Sequence, residues 1–152
     1  MTHLAHRSPV SLDTCHLAKA VEAIGDRWTL LILRSALFGV RRFDDFQTEL
    51  GIPRTVLSGR LKNLVESGVM IKESYRVPGK RPRPEYLLTD MGRALQPILI
   101  AMTQWGDEWL SDGAQPPLGF THSQKRQKVR AAFVDEDGME TSLSEMRVAL
   151  RL

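Results

Sequence analysis

The first regular pattern of apolar positions in the chain is helical. Leu17, Val21 and Ile24 lie four and three residues apart, which places them on one face of a helix over 14–24. Gly25 follows and is suited to end that helix, because glycine readily adopts the backbone conformations of a C-terminal cap. The pattern therefore predicts an amphipathic first helix.

Two more helices are predicted before residue 51. Asp26 can cap a helix over 27–38 whose apolar side chains leave little polar surface, so we expect this helix in the core. A third helix, over 43–50, has its apolar residues on one side and stops at Gly51.

The fourth predicted helix has two different sides. Pro53 opens it, at a position where a missing N–H does no harm, and Gly68 ends it. Its apolar stripe consists of leucines spaced three or four residues apart, namely Leu57, Leu61 and Leu64. Its polar and basic residues are Arg54, Thr55, Ser58, Gly59, Arg60 and Lys62. Gly59 is either an ordinary exposed position or a place where the helix backbone approaches a ligand closely.

A β-hairpin with a basic tip is predicted next. Residues 69–76 are rich in β-branched and aromatic side chains, 77–84 form a turn rich in proline and arginine, and 85–88 form the returning strand. The basic residues of this hairpin are Lys72, Arg76, Lys80, Arg81 and Arg83.

Helical periodicity resumes after Thr89, a plausible N-cap, and continues to about residue 110. Apolar residues recur at alternating spacings of four and three, at Met91, Leu95, Ile98, Met102, Trp105 and Trp109. Pro97 lies inside this seam, so we expect either two helices or one kinked helix. The seam either forms a dimer interface or packs onto its own domain.

The last part of the chain differs in character. Residues 112–117 form a linker, 118–122 and 128–135 have strand-like composition, and Ser142 begins a capping box for a short last helix. The predicted fold class is α+β and mainly helical. It combines an arm over 1–13, a winged helix-turn-helix domain over 14–111 and a small ββα-type appendage over 118–152.

Composition and charge sharpen this picture. The chain has 152 residues, 42% of them hydrophobic and 26% charged, and no apolar run long enough to span a bilayer. The net charge of +3 is modest, but residues 54–83 carry eight basic side chains against two acidic ones. Such a segment is either a solvated surface or a binding face for a polyanion, and its structural organisation has to decide between them.

Two short helices, the second with a basic exposed side, followed by a basic hairpin, make the winged helix-turn-helix plan. A helix fits the major groove of B-form DNA, and hairpin cations can neutralise phosphates. The predicted DNA contacts are Arg42, Arg54, Thr55, Ser58, Gly59, Arg60, Lys62, Arg76, Lys80, Arg81 and Arg83.

The sequence also resembles a known family, the HxlR-type regulators of the MarR-like branch of winged-helix proteins. The resemblance covers residues 14–111 in order. It rests on Cys15, Gly25-Asp-Arg-Trp28, Arg42-Phe43, Gly51-Ile52, Leu57-Ser-Gly-Arg-Leu61, Gly68-Val69, Glu85-Tyr86, Leu88-Thr89, Gly92 and Trp105-Gly106. It implies a homodimeric repressor or activator that binds palindromic operators, and a repressor is the favoured expectation here. The predicted dimer interface comprises Leu17, Val21, Ile98, Met102, Trp105 and Trp109.

Two departures from the family pattern stand out. Relatives often have a serine that caps the recognition helix, where this chain has Pro53. Some relatives also carry a C-terminal extension that resembles a zinc ribbon, but here only His122 remains and no cysteine follows position 15. Because a structural zinc needs four nitrogen or sulfur ligands, we expect no metal, no cofactor and an ordinary role for His122.

Cys15 has two interpretations. The resemblance places it where several family members carry a redox-sensing cysteine, and a helix N-terminus favours the reactive thiolate. Alternatively, it is a small packing residue. A lone cysteine and an N-terminus without a secretory signal point to the cytoplasm.

No enzymatic motif surrounds the four histidines, so we expect no catalysis. Two alternatives to a plain regulator stay open. One is a ligand- or redox-responsive regulator controlled through the appendage or Cys15. The other is a winged-helix module for protein contacts.

Overall fold

The computed structural model describes residues 10–148, which fold as two compact units. The first unit ends at Gln96 and the second begins at Pro97. The predicted fold class, α+β and mainly helical, is confirmed. The elements of the first unit are α1 (His16–Ile24), α2 (Arg27–Leu37), α3 (Phe43–Leu50), α4 (Arg54–Glu66), β1 (Met70–Tyr75), β2 (Arg83–Leu88) and α5 (Asp90–Arg93).

The core of the first unit lies among α2, α3, α4 and the hairpin. The predicted leucine stripe of α4 is fully buried, and each such side chain contributes roughly 1.5–3 kcal/mol relative to exposure. The buried apolar residues are Ile32, Leu33, Phe46, Ile52, Leu57, Leu61, Leu64, Val69, Met70 and Tyr86. Beside them the buried Ser35 hydroxyl donates to Glu49 Oε1 at 2.8 Å, which links α2 to α3.

Asp26 caps α2, as predicted from its position. Its Oδ1 accepts from the backbone N–H groups of Trp28 at 3.1 Å and Thr29 at 3.2 Å, and its Oδ2 accepts from the buried Thr29 hydroxyl. These bonds satisfy donors that the first turn of a helix leaves without partners. Arg60 of α4 also reaches this carboxylate, with Nε 3.0 Å from Oδ1.

Strands β1 and β2 form the predicted antiparallel hairpin, with Lys72 opposite Tyr86 and Tyr75 opposite Arg83. β2 begins two residues earlier than predicted. The turn between the strands closes through a hydrogen bond from Lys80 N to Val77 O at 2.9 Å.

Thr89 ties α5 to the hairpin. Its hydroxyl donates to Gly68 O at 2.7 Å and to Val69 O at 3.1 Å, and it accepts from Gly92 N at 3.2 Å, so the predicted N-cap is confirmed. Gly92 is buried, and a Cβ atom at that position would lie 2.3 Å from Val69 O. Only glycine therefore fits between α5 and the start of β1.

Of the two alternatives expected around Pro97, the structure has two helices, because α5 ends at Arg93 and α6 (Gln96–Trp109) is a separate helix with Pro97 in its first turn. The rest of the second unit contains β3 (Phe133–Val134), β4 (Glu140–Thr141) and a 3₁₀ turn over Leu143–Glu145. Its chain is tied to α6 by the Gln104 side chain, which donates to Val129 O at 3.0 Å and accepts from Ala131 N at 2.8 Å.

The second unit has less regular structure than the sequence predicts. The strand-like run over 118–122 makes only an isolated bridge from Thr121 to Lys128, and the last helix is a single 3₁₀ turn after which Met146 is extended. No residue described between 97 and 148 is buried, so no packed surface supports longer elements. Leu150, predicted on the last helix, lies outside the described residues.

The predicted capping box is present. Glu145 Oε2 accepts from Ser142 N at 3.0 Å and from Ser142 Oγ at 2.8 Å, and these two hydrogen bonds lower the pKa of Glu145. His122 also has a structural role, since its Nδ1 accepts from the backbone N–H groups of Gln124 and Lys125 at 3.2 Å.

Candidate nucleic-acid interface

The turn between α3 and α4 fixes the angle at which α4 is presented. Gly51 ends α3 in the left-handed conformation, with φ 60° and ψ 24°, which glycine adopts without steric cost. Ile52 is buried and anchors the turn, and Pro53 supplies the extended residue before α4. The leucine stripe then points into the core, which leaves Arg54, Ser58 and Lys62 exposed.

Part of the predicted DNA-contact set meets in one cleft. A cavity of about 600 Å³ lies between α3, α4 and the hairpin, and it is lined by Arg42, Arg54, Ser58 and Arg83 among others. These four residues come from four places in the chain: the N-cap of α3, the first and second turns of α4, and the start of β2. The fold therefore brings the basic end of α4 and the hairpin to a common surface.

A second, smaller cavity lies at the tip of the hairpin, beside the turn between β1 and β2. It has a volume of about 130 Å³ and is lined by Arg42, Tyr75, Val77, Lys80, Arg81 and Arg83. Four of these side chains are cations and none is acidic. Arg42 and Arg83 line both cavities, so positive charge extends continuously from the cleft to the hairpin tip.

Aromatic rings hold two of the arginines in place. The Arg42 guanidinium lies over the Tyr75 ring at 4.3 Å from its centroid, and the Arg54 guanidinium lies over Phe43 at 4.8 Å. Such contacts contribute roughly 0.5–1 kcal/mol at exposed sites and restrict side-chain rotation.

Two carboxylates, Asp44 and Asp45, also line the larger cavity, and Asp44 bridges two of its arginines. Asp44 Oδ1 lies 4.0 Å from Arg54 Nη1, and Asp44 Oδ2 lies 3.6 Å from Arg83 Nη1. Asp44 belongs to the first turn of α3, while its two partners belong to α4 and β2. This bridge is long-range in sequence and shows directly that α4 and the hairpin converge.

Arg60 differs from the other predicted contacts. It is half-buried and lies at ion-pair distance from Asp26, although its Nε–H is not aligned for a hydrogen bond to that oxygen. Burial works to raise the pKa of Asp26, but hydrogen bonds from Thr29, the charge of Arg60 and the Trp28 amide together lower it below its ordinary value. Arg60 thus contributes to the fold at the start of α2, and its role in DNA contact stays a prediction.

The remaining predicted contacts do not line either cavity. Thr55, Gly59, Lys62 and Arg76 are all exposed, and Lys62 makes an ion pair with Glu66 at 3.7 Å one turn along α4. Their assignment as DNA contacts rests on their exposure alone and stays a prediction.

Sequence reasoning missed three members of the site, namely Phe43, Asp44 and Tyr75. Helical spacing places Phe43 on the apolar side of α3, and two adjacent carboxylates such as Asp44 and Asp45 are usually a solvated acidic pair. Asp44 is indeed exposed, but it is also ion-paired. No periodic pattern in the sequence singles out Tyr75.

A helix-turn-helix whose second helix lies beside a basic β-hairpin defines a winged-helix protein of the DNA-binding kind. Residues 23–114 match the model of the HxlR-like helix-turn-helix family, and the chain belongs to that family. The resemblance seen in the sequence is therefore confirmed, and with it the class of transcriptional regulators.

Relatives and solved structures agree with this assignment. An uncharacterized HTH-type transcriptional regulator of Mycobacterium tuberculosis, Rv3095, is 46% identical over 106 residues, which cover 70% of this chain and 66% of that protein. The crystal structure of PA1607, a candidate transcription factor, has a TM-score of 0.78 at 35% identity and covers 90% of this chain and 94% of its own. The redox regulator HypR in its oxidized form has a TM-score of 0.56 at 29% identity, over 62% of this chain and 96% of its own.

Between residues 10 and 148 no three His, Cys, Asp or Glu side chains group together in a way that suits a metal ion. In the same range no helix has the length and apolar character needed to cross a bilayer.

Proposed function

We propose that the protein binds duplex DNA with α4 in the major groove and the β1–β2 hairpin on the phosphate backbone. The observation that carries this proposal is the Asp44 bridge, which ties Arg54 of α4 to Arg83 of β2 across the basic cleft. Because both cations reach one carboxylate, helix and hairpin can contact one duplex together.

The chemistry of the exposed residues supports separate roles for the two elements. Arg54 and Ser58 lie in the first two turns of α4, and arginine and serine side chains can hydrogen-bond base edges. The four cations around the smaller cavity instead suit phosphates, which position a protein on DNA without reading its sequence.

The test is binding to a random-sequence duplex as a function of salt. If several cations contact phosphates, the association constant should fall steeply, with a log–log slope of about −0.9 per phosphate contact. Fluorescence anisotropy with a labelled duplex between low and moderate salt measures both quantities. A module used only for protein contacts would show no binding at low salt, and that result would reject the proposal.

We propose further that the protein acts as a homodimer through α1 and α6. Neither helix has a buried residue in the single chain, and the residues predicted for the interface are strongly exposed. Leu17 is 72% exposed, Trp105 57% and Trp109 66%. Indole rings at this exposure leave a large apolar area in water, which a partner surface would cover.

A two-fold dimer would present two copies of α4 to one face of the DNA, so its operator would be palindromic. Occupation of such a site fits a repressor that blocks access to a promoter. This more specific role rests on the dimer proposal.

Replacing Trp105 by glutamate is expected to convert the dimer to a monomer at micromolar concentration, because the substitution places a charge in the proposed apolar seam. Sedimentation velocity measures the change. Phe38→Glu is the matched control, since Phe38 is also 57% exposed but lies at the end of α2. A wild-type protein that sediments as a monomer would remove the dimer proposal.

A second candidate role, redox response through Cys15, has one favourable observation. Cys15 is a half-buried free thiol at the N-cap of α1, the helix proposed for the dimer interface, and the structural neighbour HypR is a redox regulator. Oxidation by diamide of the two Cys15 thiols of a dimer to an intermolecular disulfide, with diamide reduced to its hydrazine, would shift α1 and so change the spacing of the two α4 helices. Packing remains the alternative role of this residue.

If Cys15 is a redox sensor, diamide treatment should change the affinity of the wild type for duplex DNA by a factor of about 5 or more, as a coupling of roughly 1–3 kcal/mol implies. Cys15→Ser should not respond. Equal affinity of the treated and untreated wild type would leave Cys15 as a packing residue.

A further inference from the structure

The carboxylate of Asp44 lies between two cations that come from different elements. The bridge spans the N-terminal turn of α4 and the start of β2, and all three side chains are about two-thirds exposed or more. Exposed ion pairs of this kind are weak, typically below about 1 kcal/mol each, so a competing anion can replace the carboxylate.

The two arginines are held near this point by more than Asp44. Arg54 lies over the Phe43 ring, and the backbone of Arg83 is paired opposite Tyr75 in the β1–β2 ladder. Neither contact involves Asp44, so displacing the carboxylate leaves both contacts in place. The site between them is therefore built by the fold, and the carboxylate is its occupant in the free protein.

We propose that this place is a binding site for one phosphate of the DNA backbone, and that Asp44 occupies it as an internal competitor. The inference rests on the proposed DNA-binding function and adds a specific site to it. A phosphodiester carries one negative charge on two free oxygens, as a carboxylate does, and can accept hydrogen bonds from two guanidinium groups. It would lie where α4 and the hairpin meet the duplex together.

This arrangement has a cost for binding. Before Arg54 and Arg83 can contact DNA, two protein ion pairs must break, and Asp44 then becomes an unpaired anion close to the phosphates. Asp44 therefore lowers affinity for duplexes of every sequence, and it makes the salt dependence less steep because part of the positive charge is already neutralised.

The neighbouring Asp45 provides a matched control. It has the same charge, is exposed, and belongs to the same first turn of α3. No ion pair among residues 10–148 involves Asp45. Replacing either residue by asparagine removes one negative charge near the site, but only Asp44→Asn frees the two arginines.

The experiment compares the affinity of full-length wild type, Asp44→Asn and Asp45→Asn for one random-sequence duplex over a range of salt. Asp44→Asn should bind about 3- to 10-fold more tightly and with a log–log slope steeper by about one unit. Asp45→Asn should gain no more than about twofold, with an unchanged slope. In a background of Arg54→Ala and Arg83→Ala, the effect of Asp44→Asn should shrink to that of Asp45→Asn.

Equal effects of the two asparagine variants would overturn the site, as would a full Asp44→Asn effect in the double-alanine background. Helix content from circular dichroism checks that each variant folds, and Asp44→Ser serves in place of asparagine if it does not. If wild type and Asp44→Asn both fail to bind duplex at low salt, the proposed function itself is wrong. If wild type binds and the asparagine variants do not differ from each other, the DNA-binding function stands and only the proposed phosphate site is wrong.

Discussion

Replacing Lys80, Arg81 and Arg83 together by alanine is expected to weaken binding to every duplex by about 100-fold at moderate salt. Each of the three cations lines the small cavity at the tip of the hairpin, and each lost phosphate contact should lower the salt slope by about 0.9. Affinity and slope on two unrelated random duplexes measure the effect, and both duplexes should lose the same factor.

The control is a basic triple of equal charge in the second unit, Lys125→Ala, Arg126→Ala and Lys128→Ala. These residues are exposed but belong to no part of the proposed interface. They should change affinity only slightly. In contrast, Ser58→Ala should relax sequence preference in a selection from random sequences. Arg54→Ala should both relax that preference and weaken binding to all duplexes, because a guanidinium has enough N–H donors for a phosphate and a base edge. An unchanged affinity and slope in the hairpin triple would mean that the hairpin does not act as a wing.

Replacing Asp26 by alanine is expected to lower the free energy of unfolding by about 2 kcal/mol at neutral pH. The substitution removes a helix cap, usually worth about 0.5–2 kcal/mol, and leaves the buried Thr29 hydroxyl without its acceptor. Urea denaturation at a fixed protein concentration measures the change.

Asp26→Asn separates the charge of this residue from its capping role, because asparagine caps helices as well as aspartate does. Since the folded state lowers the pKa of Asp26, its ionisation stabilises the protein above the ordinary carboxyl pKa, near 3.9. That stabilisation is lost as the pH falls through the lowered pKa that Asp26 has in the folded protein. The difference between wild type and Asp26→Asn should therefore be constant above about pH 5 and shrink below pH 4. A difference that does not change with pH would show that the charge contributes nothing.

Local patterns predicted the elements of the first unit closely. Asp26 and Thr89 accept from backbone N–H groups within three residues, and Gly51 N donates to Gln47 O four residues back. Because these capping contacts are local, cap and stop signals located the helix ends to within two residues. The leucine stripe of α4 likewise needs only helical periodicity to be assigned to the core.

The ion pairs of the site could not be predicted in this way. Asp44 meets Arg83, and Asp26 meets Arg60, across more than thirty residues of sequence, and no periodicity encodes such pairs. They depend on how the helices cross and where the hairpin returns. The sequence also predicts more regular secondary structure in the C-terminal appendage than the structure has. Strand-like composition does not produce strands where no residue is buried.

The contact at Gly92 has a mechanical consequence. With less than a methyl group of clearance from Val69 O, and with Thr89 bonded to Gly68 and Val69, α5 cannot slide or rotate without carrying the start of β1 with it. The helix and the first strand of the hairpin are therefore rigidly connected, so a rotation of α5 would move the start of β1 with it.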